Sequence, residues 1–159
     1  MRLIVSVLAF VGVATVSAAA TPASAHTVAI NPLAGPSISW AFDWERKDLE
    51  GVLALYTDDA VFMDATGARV AGKSALRKFF AAVLQQYTAH PTMHSVAAYS
   101  ACDLGYEWGD YSEVVVPVAK PAAAIKTQGT YLVILRKVSG HWLIASQMWT
   151  GNVPVPVKR

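Results

Sequence analysis

The stretch Asp48–Gly67, DLEGVLALYTDDAVFMDATG, and the segment Ala71–Phe80, AGKSALRKFF, carry the clearest structural pattern of the chain. Apolar residues recur at helical spacing over residues 49–56, and the aspartate in front of them is a favoured helix cap. An acidic turn follows, and residues 60–64 have strand composition. After a turn that contains glycine, helical spacing returns over residues 73–87. The pattern predicts the order helix, strand, helix.

The flanking sequence extends this pattern on both sides. Residues from Ile38 to Lys47 are dense in apolar side chains and predict a helix with Ser37 as its N-cap. The second half is rich in β-branched and aromatic residues, and Ser139-Gly140 is typical of a hairpin tip. Four strands are predicted there, over residues 93–101, 105–118, 126–138 and 141–152. Helices followed by antiparallel strands indicate an α+β domain in which a curved sheet wraps around a helix.

Three segments together resemble a known superfamily. They are the pattern Tyr-x-Asp-Asp-Ala-x-x-x-Asp from Tyr56 to Asp64, the strand Gly129–Lys137 and the strand His141–Trp149. They resemble the SnoaL-like and ketosteroid-isomerase-like branch of the nuclear transport factor 2-like superfamily. The resemblance implies a cone-shaped, cystatin-like α+β fold, with N-terminal helices packed on a curved, mainly antiparallel sheet around one apolar pocket. Members are enzymes, ligand holders or assembly modules, so the fold alone does not decide the function.

The ends of the chain suggest export. Residues 1–25 have one positive charge, an apolar run and small residues ending in Ala23-Ser24-Ala25, as in a secretory signal peptide. The alternative is an uncleaved anchor, but the run is shorter than the roughly 20 residues that span a bilayer. We expect an extended lead-in over 26–36, one domain over 37–152 and a flexible Pro-rich tail over 153–159. The mature protein is then secreted or periplasmic and not stably inserted in a membrane.

Composition narrows the classes of partner and cofactor. The formal charge of +2 is dispersed rather than arranged in a stripe, so no nucleic-acid partner is expected. The single cysteine, Cys102, cannot form an intrachain bridge, and we expect it to be buried. His90 and His94 have a spacing that suits a metal on a helix, but Pro91 separates them and no third ligand is near. No phosphate-binding loop appears, so we expect neither a cofactor nor a metal.

Asp64 is the candidate catalytic residue. The resemblance implies that it stands where ketosteroid isomerases have their general base. A carboxylate in an apolar cavity has a raised pKa, which suits it to removing a proton from carbon beside a carbonyl. The alternative is structural, because Asp before a glycine turn often binds backbone N–H groups.

The resemblance also implies two positions that supply hydrogen-bond donors to an enolate oxygen. This sequence has a different residue at each of these positions. Trp40 stands in place of a tyrosine and offers one indole N–H, whereas Val133 stands in place of an acid and offers no donor. Steroid isomerisation by the family mechanism is therefore not expected.

Aromatic residues are the candidate ligand contacts. The proposed ligand-binding set is Trp40, Tyr56, Phe80, Tyr131, Val133 and Trp149. Such a set suits a flat, mostly apolar or aromatic molecule, but the same residues could simply fill the core. Alternation along the strand separates Glu107, Asp110 and Glu113 over both faces of the sheet, so no acidic site is expected there. The competing hypothesis is a non-catalytic module that forms a homodimer or docks on another protein.

Overall fold

The computed structural model describes residues 31–119 and 124–151 of the chain. The predicted signal peptide, the first residues of the predicted lead-in and the predicted tail lie outside the described residues.

Three helices are present, and their sequences explain where they begin. They are α1 Gly35–Glu45, α2 Leu49–Ala54 and α3 Lys73–Gln86. Pro36 occupies the first turn of α1, where its missing N–H costs nothing. The side chain of Asp48 accepts a hydrogen bond of 2.9 Å from the Gly51 N–H, which confirms the predicted cap of α2. The helix predicted over 73–87 is confirmed as α3.

Six strands form one sheet. They are β1 Tyr56–Met63, β2 Arg69–Ala71, β3 Tyr87–Ala101, β4 Leu104–Pro117, β5 Ile125–Val138 and β6 His141–Trp149. Their order is β2-β1-β6-β5-β4-β3, with β1 and β6 parallel and all other neighbours antiparallel. Helix α1 packs on β3 and α3 packs on β1. The predicted α+β class, with helices on a mainly antiparallel sheet, is confirmed.

Strand β4 has a buried inner face and an exposed outer face. Its residues alternate strictly between exposed and buried from Leu104 to Ser112. Glu107 and Glu113 are an even number of residues apart and share the inner face, whereas Asp110 lies on the outer face. The acids are therefore divided between the two faces, as the strand alternation predicts, and Glu107 and Glu113 stand six residues apart on the inner face.

A close approach between strands β3 and β4 requires a glycine at position 109. A Cβ atom there would lie 2.1 Å from the carbonyl oxygen of His94 and 2.9 Å from the hydroxyl oxygen of Tyr131. The register of β3 on β4 shifts between Ser95 and Ala97, beside this contact. Such bulges bend a strand, and only glycine leaves room for the bent strand here.

The core lies between the helices and the inner face of the sheet. Its fully buried side chains include Val52, Leu76, Phe80, Leu135 and Ile144. They come from α2, α3, β5 and β6, so the layers are joined by long-range apolar contacts rather than by one local cluster.

Three local expectations were wrong: Ser37 as an N-cap, a lead-in outside the core, and a buried Cys102. Helix α1 begins after Ala34 with no side-chain cap, and Ser37 lies inside the helix instead. Leu33, in the predicted lead-in, belongs to the core. Cys102 is exposed in the tight turn between β3 and β4, where its backbone has a φ of 54°.

Candidate functional site

A cavity opens between α1, α3 and the inner face of the sheet. Its volume is about 180 Å³. The side chains that line it are mostly aromatic: Trp40, Trp44, Phe62, Asp64, Ala65, Phe79, Phe80, Val83, Tyr111, Glu113 and Trp149. Packed side chains therefore do not fill the interior completely. A ligand site requires such unfilled space.

Indole rings form one wall of the cavity. Trp40 and Trp44 stand one helical turn apart on α1, and their rings stack with centroids 4.8 Å apart. The ring of Trp149 lies 5.2 Å from that of Trp40 and meets Tyr111 edge-on at 4.5 Å. These contacts hold the rings in fixed orientations, because offset and edge-to-face pairs are the favoured aromatic geometries.

The structure separates the predicted site residues into two groups. Trp40, Asp64, Phe80 and Trp149 line the cavity. Tyr56, Tyr131 and Val133 are buried on the inner side of the sheet but are not among the lining residues. In the structure these three are core side chains.

Several lining residues escaped the sequence analysis. They are Trp44, Phe62, Phe79, Tyr111 and Glu113. Trp44 could have been found from its spacing of four residues after Trp40. Tyr111 and Glu113 could have been found from their shared parity on β4 once one of them was known to face inward.

Asp64 lies at the rim of the cavity and is also bound to its own turn. Its Oδ1 accepts hydrogen bonds from the Thr66 N–H at 2.8 Å, the Thr66 hydroxyl at 2.7 Å and the Ala68 N–H at 2.9 Å. Partial burial raises the pKa of Asp64, but these hydrogen bonds and one from Gly67 outweigh it and leave the pKa lowered. The expected turn role is confirmed and the expected direction of the pKa shift was wrong. The role as a general base stays a prediction.

Glu113 is the second carboxyl group of the cavity. It stands half-buried on β4, and burial raises its pKa, opposed by a hydrogen bond from Thr127. The pKa of Tyr111 is raised by its own burial and by the negative charge of Glu113. The charge of Glu113 therefore acts on a ring that lines the cavity.

Two buried indole nitrogens have no hydrogen-bond partner among the described residues. They are Nε1 of Trp149 and Nε1 of Trp40, but the Trp40 N–H lies within reach of the Tyr56 hydroxyl, where it opposes the rise in the pKa of Tyr56. Buried donors are almost always satisfied in folded proteins, by protein groups, by water or by a bound molecule. The Trp149 N–H is therefore an exception to this rule among the described residues.

Two buried polar networks lie outside the lining. The Tyr56 hydroxyl donates to Gln147 Oε1. The carboxylate of Glu107, fully buried, accepts from the Ser37 hydroxyl at 2.5 Å and from the Tyr131 hydroxyl at 2.8 Å. Because Ser37 belongs to α1, the Glu107 network joins the helix that carries Trp40 to the sheet.

The described residues hold no group of three or more His, Cys, Asp and Glu side chains that could bind a metal ion. His90 instead pairs with Glu45, at 2.8 Å between Nδ1 and Oε1. Over residues 31–119 and 124–151, no helix is long and apolar enough to cross a membrane.

Known proteins share this fold. A ketosteroid isomerase-like protein from Erwinia carotovora atroseptica is 20% identical, with a TM-score of 0.70 over 77% of this chain and 95% of its own. A conserved protein from Planctomyces limnophilus is 18% identical, with a TM-score of 0.68 over 74% and 91%. A cystatin-like protein of unknown function from Nostoc punctiforme is 17% identical, with a TM-score of 0.61 over 78% and 91%. At these identities the likeness shows the fold alone.

A search of curated proteins found no match. The SnoaL-like domain family matches residues 40–104, which contain α2, β1, α3 and two of the cavity's tryptophans. Residues 40–104 thus match the SnoaL-like domain family, and the described residues share their fold with ketosteroid isomerase-like and NTF2-like proteins.

Proposed function

We propose that this protein binds a small, mostly apolar or aromatic molecule in the cavity between α1 and the sheet. The observation that carries the proposal is an open space of about 180 Å³ bounded by aromatic rings. A cavity of about 150 Å³ lined by apolar side chains is enough to hold benzene.

Trp149→Ala is expected to weaken binding of a compact neutral ligand, tert-butylbenzene, by at least about tenfold. The ring of Trp149 contacts both Trp40 and Tyr111, so its loss opens the wall and removes dispersion contacts with the ligand. Isothermal titration calorimetry on the mature protein measures the affinity. Trp142→Ala is the matched control, because Trp142 lies on the same strand outside the lining. Equal losses of affinity in the two variants would refute the proposal.

The catalytic form of the proposal assigns proton transfer beside a carbonyl to Asp64, as in isomerase-type or cyclase-type reactions. Two observations support this assignment. The carboxyl group lies on the rim of the cavity, and the three turn hydrogen bonds all reach Oδ1, so that none of them occupies Oδ2. The lowered pKa makes Asp64 a weak base, so we expect slow exchange rather than fast turnover.

Asp64→Asn is expected to abolish protein-catalysed exchange of the methyl protons of acetophenone in D₂O. Proton NMR follows the exchange, and the asparagine keeps the Oδ1 acceptor of the turn, so the melting temperature should change little. Asp110→Asn on the outer face serves as the control. If Asp64→Asn lowers the melting temperature and exchange is no faster with the protein than without it, Asp64 is structural only.

A second candidate function is self-association through the outer face of the sheet. The register of β3, β4 and β6 brings exposed apolar side chains onto this face: Tyr99, Tyr106, Trp108 and Met148. Tyr99 is 62% exposed and Trp108 is 39% exposed, which is unusual for large apolar residues unless another surface covers them.

Trp108→Glu is expected to convert a homodimer into a monomer. A charge at the centre of a self-complementary apolar face would be buried twice in a two-fold dimer, once from each copy. Analytical ultracentrifugation gives the mass of both proteins. A monomer before substitution at micromolar concentration would count against the homodimer.

A further inference from the structure

The charged groups of the cavity are all acidic. Asp64 and Glu113 are its carboxyl groups, and no lysine, arginine or histidine of the described residues lines it. The described ion pairs join other acids: Lys73 with Asp58, Arg77 with Glu50, His90 with Glu45 and Arg136 with Asp59. Neither cavity carboxyl group therefore has a cationic partner among the described residues.

The aromatic rings add to this negative character. The faces of aromatic rings carry negative potential, and tryptophan is the strongest attractor of cations. Trp40, Trp44, Tyr111 and Trp149 all contribute rings to the same small space. Aromatic cages of this composition recognise ammonium groups when water is excluded.

Burial makes an unpaired carboxylate costly, and this cost favours a cationic ligand. Glu113 has a pKa raised by burial, so its ionised form is destabilised. A cation beside it would offset that loss and favour ionisation.

We propose that the ligand of this cavity is an organic cation, with an ammonium or quaternary ammonium group held between Glu113 and the indole rings and an apolar body filling the remaining space. This inference rests on the proposed ligand-binding function and names its ligand class. A neutral ligand would leave Glu113 buried beside apolar groups, and an anion would be repelled by both carboxylates.

The test compares two molecules of the same shape. Phenyltrimethylammonium and tert-butylbenzene differ at one atom, a positively charged nitrogen in place of the neutral quaternary carbon of the head group. Calorimetric titration of the mature protein at pH 8 is expected to show at least tenfold tighter binding of the cation. Equal or weaker binding of the cation overturns the inference while leaving the proposed function intact. If neither molecule binds, both are overturned.

The substitution Glu113→Gln keeps the shape of the side chain and removes its charge. We expect it to weaken phenyltrimethylammonium binding at least fivefold and to leave tert-butylbenzene binding unchanged. Asp110→Asn, on the outer face of the same strand, should change neither affinity. An unchanged cation affinity in Glu113→Gln overturns the role of Glu113. The comparison of the two ligands on the unsubstituted protein stays decisive if the variant does not fold.

Discussion

Replacing Glu107 by alanine is expected to lower the free energy of unfolding by about 2–5 kcal/mol. The carboxyl group is fully buried and accepts hydrogen bonds from the hydroxyls of Ser37 and Tyr131. Alanine leaves both hydroxyls buried without that acceptor, at about 1–3 kcal/mol each, and leaves a cavity as well. Because Ser37 lies on α1, the same substitution should also loosen Trp40 and weaken ligand binding.

Urea unfolding followed by tryptophan fluorescence measures this effect. Glu107→Gln should cost less, because its side-chain carbonyl still accepts one hydrogen bond and the volume is kept. Asp110→Ala, exposed on the other face of β4, should change the free energy by no more than about 0.5 kcal/mol. A loss of less than about 1 kcal/mol in Glu107→Ala would mean that the network does not hold α1 on the sheet.

Features set by local sequence were predictable. The cap formed by Asp48 and the hairpin tip at Ser139-Gly140 depend on a few neighbouring residues, and both are present in the structure. The periodicity of the sequence was also sufficient to predict helix α3, because its apolar stripe repeats over 14 residues. Ser37 failed as a prediction because its hydroxyl partner, Glu107, lies 70 residues away in the chain.

The candidate site was only partly predictable, because its walls meet through long-range packing. Trp149 and Tyr111 belong to strands that are not neighbours in the sheet, their rings meet each other, and α1 brings Trp40 onto Trp149. The position of a residue along a strand, odd or even, predicts which face of the sheet its side chain lies on. It does not predict how deeply that side chain is buried. Tyr131 and Val133 therefore face inward as predicted, yet the core encloses them instead of the cavity.

Phe80→Ala is expected to lower the free energy of unfolding by about 3–5 kcal/mol, the usual cost of removing a buried phenylalanine ring. The side chain is fully buried and meets Trp44 and Phe62 edge-on, with centroids 5.4 and 5.2 Å away. Phe80 also lines the cavity, so its truncation should enlarge the space that a ligand fills.

The neighbouring residue gives a matched control for this prediction. Phe79 is the same residue on the same helix, but it is only half-buried, so Phe79→Ala should cost less in urea unfolding. Adding tert-butylbenzene should restore more stability to Phe80→Ala than to Phe79→Ala, because a ligand that enters the enlarged space stabilises the folded state by mass action. Equal losses in the two variants, with no ligand effect on either, would mean that the ring of Phe80 does not separate the core from the cavity.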